Sequence, residues 1–451
     1  MTSKRNEIKK VPLYIFFQSK QIPKRFKNII FEKHSSYSIF ISDEKILIDL
    51  SAILNLDLLQ KNHKLLLIGQ AVSSKCKAGS FFVEYFGCRE SEIMNFFLGW
   101  KLGNYVFEKY KSKKKKKSIS KICHKKEKEL KIISDTYYFV RDLINMPANI
   151  LGPKEIYLLA KKFLKKFEVT CLIDNQKLEK NFPLIAAVGR GSEKKKKPIF
   201  CEFSMRNTKN KKSKKKIFII GKGVSFDTGG LNIKTGTGMG LMKKDMGGAA
   251  NCIGLARLIS DFDVNFDLRL LLCLVENSVS KKSMRPSDII KSREGSYVEI
   301  GDTDAEGRLI LADAITYANE NKADLIIDMA TLTGASRVAM GLEVPSFFCN
   351  CESLAMQLID SSKQTGDPLW QLPLWENYSN QLSSAHADFK NIGNSMFGGA
   401  ITAALFLKKF AKDTPWIHVD LMAWTKANSF STYEGGEAMG IRALLEMIKK
   451  I

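Results

Sequence analysis

Apolar and polar positions along this chain of 451 residues follow two different periods, and the switches between them lay out the elements. Residues 216–220 (KIFII), 268–275 (LRLLLCLV), 324–329 (DLIIDM) and 416–421 (WIHVDL) are short, nearly continuous apolar runs, which predicts strands covered on both faces. Between and after them, residues 247–259, 306–318 and 399–410 repeat apolar positions at helical spacing. Strand alternating with helix predicts an α/β fold. This part of the chain is expected to carry a mixed, mostly parallel sheet flanked by helices, with ligands gathered at the carboxyl ends of its strands.

The upstream part reads differently. Residues 11–17, 38–40 and 64–68 look strand-like, and 90–110 (ESEIMNFFLGWKLGNYVFEKY) looks helical. This predicts a smaller N-terminal α/β domain over 1–112, with Phe96, Phe97 and Trp100 in its core. Lysines crowd 111–128, a block of like charge that cannot bury itself and is expected to be an exposed linker. Residues 131–144 predict an amphipathic helix ending at the breaker Asn145-Met146-Pro147. The expected organisation is a domain over 1–112, then a lysine-rich linker and a larger domain over 113–451.

Bulk properties narrow the class. The length favours two hydrophobic cores rather than one. A 45% hydrophobic content suits a globular protein. No run of eighteen apolar residues occurs, and the opening MTSKRNEIKK has no apolar core of a signal peptide, so a soluble, cytoplasmic protein without a membrane partner is expected. Nine cysteines, odd in number and without a CxxC spacing, argue against a disulfide framework or zinc ribbon and for reduced, buried thiols.

The net charge of +24 is concentrated in lysine runs at 113–117, 194–197 and 209–216. Such runs fit a polyanion, but they contain no interleaved aromatics and almost no arginine, so solvated loops are the favoured reading and nucleic-acid binding the minor one.

Two glycine-rich stretches carry candidate chemistry. Residues 221–248, GKGVSFDTGGLNIKTGTGMGLMKKDMGG, set Lys222, Asp227, Lys234 and Asp245 among nine glycines directly after a predicted strand. Residues 301–308, GDTDAEGR, set Asp304, Glu306 and Arg308 at the start of a predicted helix, where Thr303 and Glu306 also fit a capping box. Glycine costs folding entropy, and interleaving it with acids and amines suggests a built site. Asp227, Asp245, Asp304 and Glu306 together would balance two divalent cations; without cations they would repel and take up protons. Carboxylate-rich sites suit Mg, Mn or Zn, and Lys222 can add an amine once it loses its proton. The five histidines show no metal spacing and HExxH is absent. Gly236, Gly238 and Gly240 do not form a phosphate loop, since no GxxxxGK[ST] follows.

The stretches GKGVSFDTGG, NIK, LMKKDMGGAAN, GDTDAEGRLILADA and DMATLTGA, in this order, resemble the leucyl aminopeptidase (cytosol aminopeptidase) family over about 139–451. The tails HVDLMAW and EGGEAMGIRALL are similar to the form in a bacterial branch. The resemblance implies a metal-dependent aminopeptidase releasing apolar, Leu-like N-terminal residues by attack of a metal-bridging water. It implies one metal at Lys222, Asp227, Asp245 and Glu306 and a second at Asp227, Asp304 and Glu306. Mn or Zn is expected, with Mg or Co as alternatives. By the same resemblance, Lys234 polarises the scissile carbonyl and Arg308 holds a bicarbonate acting as general base. The backbone at Thr331, Leu332 and Gly334 lies along the peptide substrate, with Met242 and Ala423 around its first side chain. Hexamers are the expected assembly. One position departs: Asp302 stands where the family commonly has Asn. It is expected to hydrogen-bond locally as the Asn would; retuning of the metals is the alternative. Two other classes compete. A nucleic-acid-binding protein on this scaffold would be favoured by loss of an acid, and all four are present. Two-metal phosphoester hydrolysis would want more arginines than Arg308 beside the acids.

Overall fold

The computed structural model describes residues 10–76, 79–113, 120–205, 215–431 and 433–451. It divides into two compact units, one of Met1–Tyr138 with Ser362–Asp367 and Lys426–Glu434, the other of Phe139–Ser361, Pro368–Thr425 and Gly435–Ile451.

The first unit holds a six-stranded sheet in the order Glu32–Lys33, Ser38–Ile41, Ile46–Asp49, Lys10–Phe16, Gly79–Phe86, Ser120–Cys123. Residues 64–68, expected as a strand, lie inside the helix Leu58–Lys75. The apolar run continues at helical spacing through Ile68, Ala71 and Val72, and the Asp57 side chain caps the start by accepting from Gln60 N. This helix packs on Glu90–Gly103 at glycine contacts: a Cβ on Gly69 would stand 2.1 Å from Phe96 O, and one on Gly99 1.9 Å from Leu66 O. Phe96, Phe97 and Trp100 are fully buried there. The second helix stops at Gly103, short of the expected Tyr110, because Asn104 turns its side chain back to Trp100 O and across to Ser120 O. Of the lysine-rich 111–128, residues 114–119 lie outside those described. Ser120–Cys123 is an edge strand paired with Gly79–Phe86, so this part is built into the sheet rather than left as linker.

The second unit carries an eight-stranded sheet in the order Trp370–Gln371, Ser346–Cys349, Trp416–Asp420, Leu325–Ala330, Lys216–Asp227, Asp267–Asn277, Ile199–Met205, Glu168–Leu172. The four central strands are mutually parallel, and antiparallel pairings flank them. Successive side chains leave a strand on opposite faces. Gly221 accordingly meets Ala249 of the helix Gly247–Asp261 on one face. Phe218 and Ile220 join Leu309, Ile310, Phe406 and Trp416 in the core on the other, under the helices Glu306–Glu320 and Gly399–Ala411. All four predicted strands and three predicted helices of this part are present; the strand expected over 216–220 runs on to Asp227, and the other ends differ by no more than two residues.

Of the lysine runs, 209–216 lies mostly, and 113–117 almost wholly, outside the described residues. Lys194–Lys196 is a single exposed turn whose Lys196 bonds Ala148 O at 2.5 Å and Glu276 at 2.9 Å. Among the described residues no helix is long and apolar enough to cross a membrane.

Candidate metal centre

The site forms at the carboxyl end of the central strand Lys216–Asp227. Period-two alternation would send Lys222 and Asp227 to opposite faces. The pairing with Asp267–Asn277 slips between Val275 and Asn277, where four residues of one strand (Val224 to Asp227) lie opposite three of the other (Val275 to Asn277). This bulge restores the phase and turns Asp227 to the side of Lys222. Gly229 and Gly230, at φ 85° and 65°, then reverse the chain in a conformation that suits glycine, and Lys234 N closes the turn on Thr228 O.

Four segments converge. Ligand oxygens of Asp227, Asp245 and Glu306, all buried, lie within 4.8 Å of one another. Lys222 Nζ sits among them, 2.8 Å from Asp245 Oδ2, 2.9 Å from Glu306 Oε1 and 3.2 Å from Thr331 O. Lys234 Nζ bridges Asp227 Oδ2 at 2.9 Å and Asp304 Oδ1 at 2.5 Å. Gly307 is required by this packing, since a Cβ there would stand 2.6 Å from Lys222 Cε.

The electrostatics match a cation site. Burial, helped by Asp227, pushes Glu306 up to about 8 and Asp304 to about 6. Burial pulls Lys222 and Lys234 down, but the surrounding carboxylates, Asp245 foremost for Lys222 and Asp227 for Lys234, outweigh it and raise both. The buried Glu306 Oε2 has no hydrogen-bond partner, and Asp245 Oδ2, Asp304 Oδ1 and Glu306 Oε1 face the ammonium groups without hydrogen-bond geometry. Desolvated carboxylate oxygens left this way are costly. They are the donor set that hard divalent cations take, and cations bound there would displace the shared protons.

Thr303 does not cap the helix. Its hydroxyl donates to Gly229 O at 2.5 Å and accepts from Asn232 N at 2.8 Å, tying the two motif loops together, and Glu306 opens the helix without a side-chain cap. Asp302 bonds locally, its Oδ1 accepting from Asp304 N at 2.8 Å. Arg308 is buried, donates to Asn391 O at 2.8 Å, and is held down at about 10 by burial.

A cavity of about 350 Å³ opens beside the cluster, lined by Met242, Thr331, Leu332 and Gly334 together with Lys234 and Arg308. Ala423 lies behind this lining, fully buried at the start of the helix Gly247–Asp261, where a Cβ on Gly247 would meet its own Cβ at 2.3 Å. Three further residues escaped the sequence reading. Asn277 donates to Asp227 Oδ1 at 2.8 Å, and Asn391 bonds Gly301 N, Asp302 O and Ala305 O across the acidic loop. Asp420 accepts from Leu332 N, Thr333 N and the Thr333 hydroxyl. Asp420 lies in HVDLMAW, whose resemblance was the available signal; the asparagines sit in unremarkable sequence.

The sequence and fold are similar to those of known proteins. A model of the cytosol aminopeptidase family, catalytic domain, matches residues 138–445. A "Probable cytosol aminopeptidase" of Persephonella marina is 41% identical over 335 residues, covering 71% of this chain and 66% of that one. One of Phytoplasma mali is 37% identical over 378 residues, covering 80% and 75%. Among solved structures, the cytosol aminopeptidase of Coxiella burnetii superposes with a TM-score of 0.86 at 34% identity, covering 100% of this chain and 98% of that one. The bottromycin maturation enzyme BotP in complex with Mn shares the fold, at a TM-score of 0.84 and 24% identity over 98% and 99% of the two chains. The chain belongs to the cytosol aminopeptidase family and is a metallo-aminopeptidase of the leucyl aminopeptidase type.

Proposed function

We propose that the protein removes apolar, Leu-like residues from the free N-termini of peptides at a centre of two divalent cations. The observation that carries this is the convergence of Asp227, Asp245 and Glu306 around Lys222 beside an open cavity. Lys222, Asp227, Asp245 and Glu306 would hold one ion, and Asp227, Asp304 and Glu306 the other. Mn and Zn are the foremost candidates, and the Mn in BotP supports a divalent ion on this fold. Mg and Co remain alternatives. When bound, such ions would polarise the scissile carbonyl and acidify a water shared between them, which would supply the nucleophile for that carbonyl at neutral pH.

The chain's own residues supply the rest. Lys234, exposed to the cavity and kept charged by Asp227 and Asp304, donates to the carbonyl oxygen as negative charge develops. Arg308 presents a buried guanidinium whose Nε has no partner, a seat for bicarbonate as general base. Thr331, Leu332 and Gly334 offer backbone along the peptide. Met242 gives an apolar wall to the first side chain, and Ala423 supports it from behind. Each methylene of that side chain is worth only about 1 to 3 kcal/mol, so preference among apolar residues is shallow. The names of the relatives support a cytoplasmic setting, and the resemblance to hexameric enzymes supports a hexamer.

The test is hydrolysis of Leu-Gly-Gly against its N-acetylated form, followed by mass spectrometry. The free peptide alone should release leucine, and Lys234→Ala or Asp304→Ala should lower the rate at least about 100-fold. Equal cleavage of the acetylated peptide would contradict an exopeptidase that reads the amino group.

A further inference from the structure

Away from the metal centre, two thiols stand in contact. Cys171 on the edge strand Glu168–Leu172 is directly opposite Cys201 on Ile199–Met205 in the antiparallel pairing. Their Sγ atoms are 3.1 Å apart. A disulfide is about 2.05 Å long and joins backbones at the separation that paired strands provide. Closing it here takes roughly 1 Å of side-chain movement and no shift of register.

The two thiols are not equivalent. Cys201 is fully buried between strands, whereas Cys171 is half-buried at the sheet edge, near Lys161 of the helix Pro153–Phe163. The hydrogen bond from Cys201 holds the Cys171 thiol below its usual range, and burial holds Cys201 well above it. An accessible, more acidic thiol beside a sheltered one is the arrangement in which an oxidant meets the first and the second resolves it.

We propose that Cys171 and Cys201 form a dithiol that reacts with hydroperoxides and closes into a cross-strand disulfide, stapling the edge strand to the sheet. The Cys171 thiolate attacks the peroxide oxygen; the O–O bond breaks, the alcohol or water leaves with a proton from solvent, and Cys171 becomes a sulfenic acid. The Cys201 sulfur then attacks the Cys171 sulfur. The S–O bond breaks, and the hydroxide leaves as water with the Cys201 proton. Two thiols are oxidised and one peroxide is reduced. The staple restrains 30 residues of chain, which stabilises the folded state against the unfolded one. Cys201 is opposite Leu272, itself opposite Gly221, so an intervening strand separates the staple from the strand of Lys222 and peptidase activity should be retained.

The experiment treats the full-length reduced protein with a few equivalents of hydrogen peroxide, alkylates free thiols, and maps peptides by mass spectrometry. The expected result is a Cys171–Cys201 crosslinked peptide, two hydrogens lighter and reversed by dithiothreitol, with a thermal midpoint a few degrees above the reduced protein. In Cys201→Ser the crosslink should vanish and Cys171 should be trapped by dimedone as sulfenic acid. Wild-type protein with Cys171 trapped by dimedone and no crosslink would overturn the proposal. So would both thiols alkylated intact while other cysteines oxidise. The wild-type map decides the matter even if a variant fails to fold.

Discussion

Asp420 shows how much of the site depends on single side chains that touch no candidate ligand. Its carboxylate receives Leu332 N, Thr333 N and the Thr333 hydroxyl, while Thr331 reaches the other way to donate to Asp245 Oδ1 at 2.7 Å. The segment proposed to lie along the peptide is thus pinned between a strand end and a proposed metal ligand. Asp420→Ala would leave buried donors unsatisfied, at about 1 to 3 kcal/mol each. The expected outcome is a KM for leucyl peptides raised about tenfold or more, with the metal concentration for half-activation unchanged; steady-state kinetics across a metal titration separates the two. A fall in activity that follows only the metal titration would contradict this placement.

The same scale shows what the sequence made legible. Lys222, Asp227, Asp245, Asp304 and Glu306 were conspicuous because charges among glycines have little structural use, and the structure brings them together. Asn277 and Asn391 were silent because they act on partners distant in sequence, Asn277 on the Asp227 carboxylate and Asn391 on the backbone of the acidic loop. Thr303 fits a capping box by spacing but does not form one, for a related reason. A capping box is defined by local spacing, but the hydroxyl is taken by Gly229 O across 74 positions.

At the scale of elements, the helix Glu306–Glu320 serves both the site and the fold. Replacing glycine by alanine in a helix normally stabilises it by up to about 1 kcal/mol. In Gly307→Ala the new methyl meets Lys222 Cε, so the amine should move and metal affinity should drop at least about tenfold with little loss of thermal stability. Isothermal titration with Mn or Zn beside a melting curve checks both.

Two turns further on, Asp313 accepts from Leu184 N and Arg293 N at 2.8 and 3.0 Å, and burial lifts its pKa to about 7. Its unfolded value is about 3.9. The folded state therefore favours the protonated form. The stability this contributes is complete below about pH 4 and is lost as pH rises through about 7. Chemical denaturation from pH 4 to 8 should show that decline in the wild type relative to Asp313→Asn.

The apolar run at 64–68 marks the limit of pattern reading for elements. Five apolar-rich residues fit a strand or a helix equally, and only the cap at Asp57 and the partner helix Glu90–Gly103 decide it. The strands of the central sheet were legible because burial on both faces leaves continuous apolar runs. The bulge between Lys222 and Asp227 was not, since it depends on the neighbouring strand's register.

For the whole molecule, the proposed metal centre should be part of stability as well as of activity. Four acidic side chains drawn from three segments are held together against repulsion by two lysines. Ions that bind only the folded state stabilise it by about 2.7 kcal/mol at a free concentration 100 times Kd. Chelation should lower the thermal midpoint by several degrees, and Mn or Zn should restore it in the wild type but not in Glu306→Gln.

The most direct measurement is hydrolysis of leucine p-nitroanilide by metal-depleted protein, titrated separately with Mn, Zn, Mg and Co, beside Glu306→Gln. The cluster at Asp227, Asp245 and Glu306 predicts no release of nitroaniline without metal, saturable release with at least one ion, and loss of that release in the variant. Release that persists after metal depletion, or an unaltered metal response in Glu306→Gln, would contradict it.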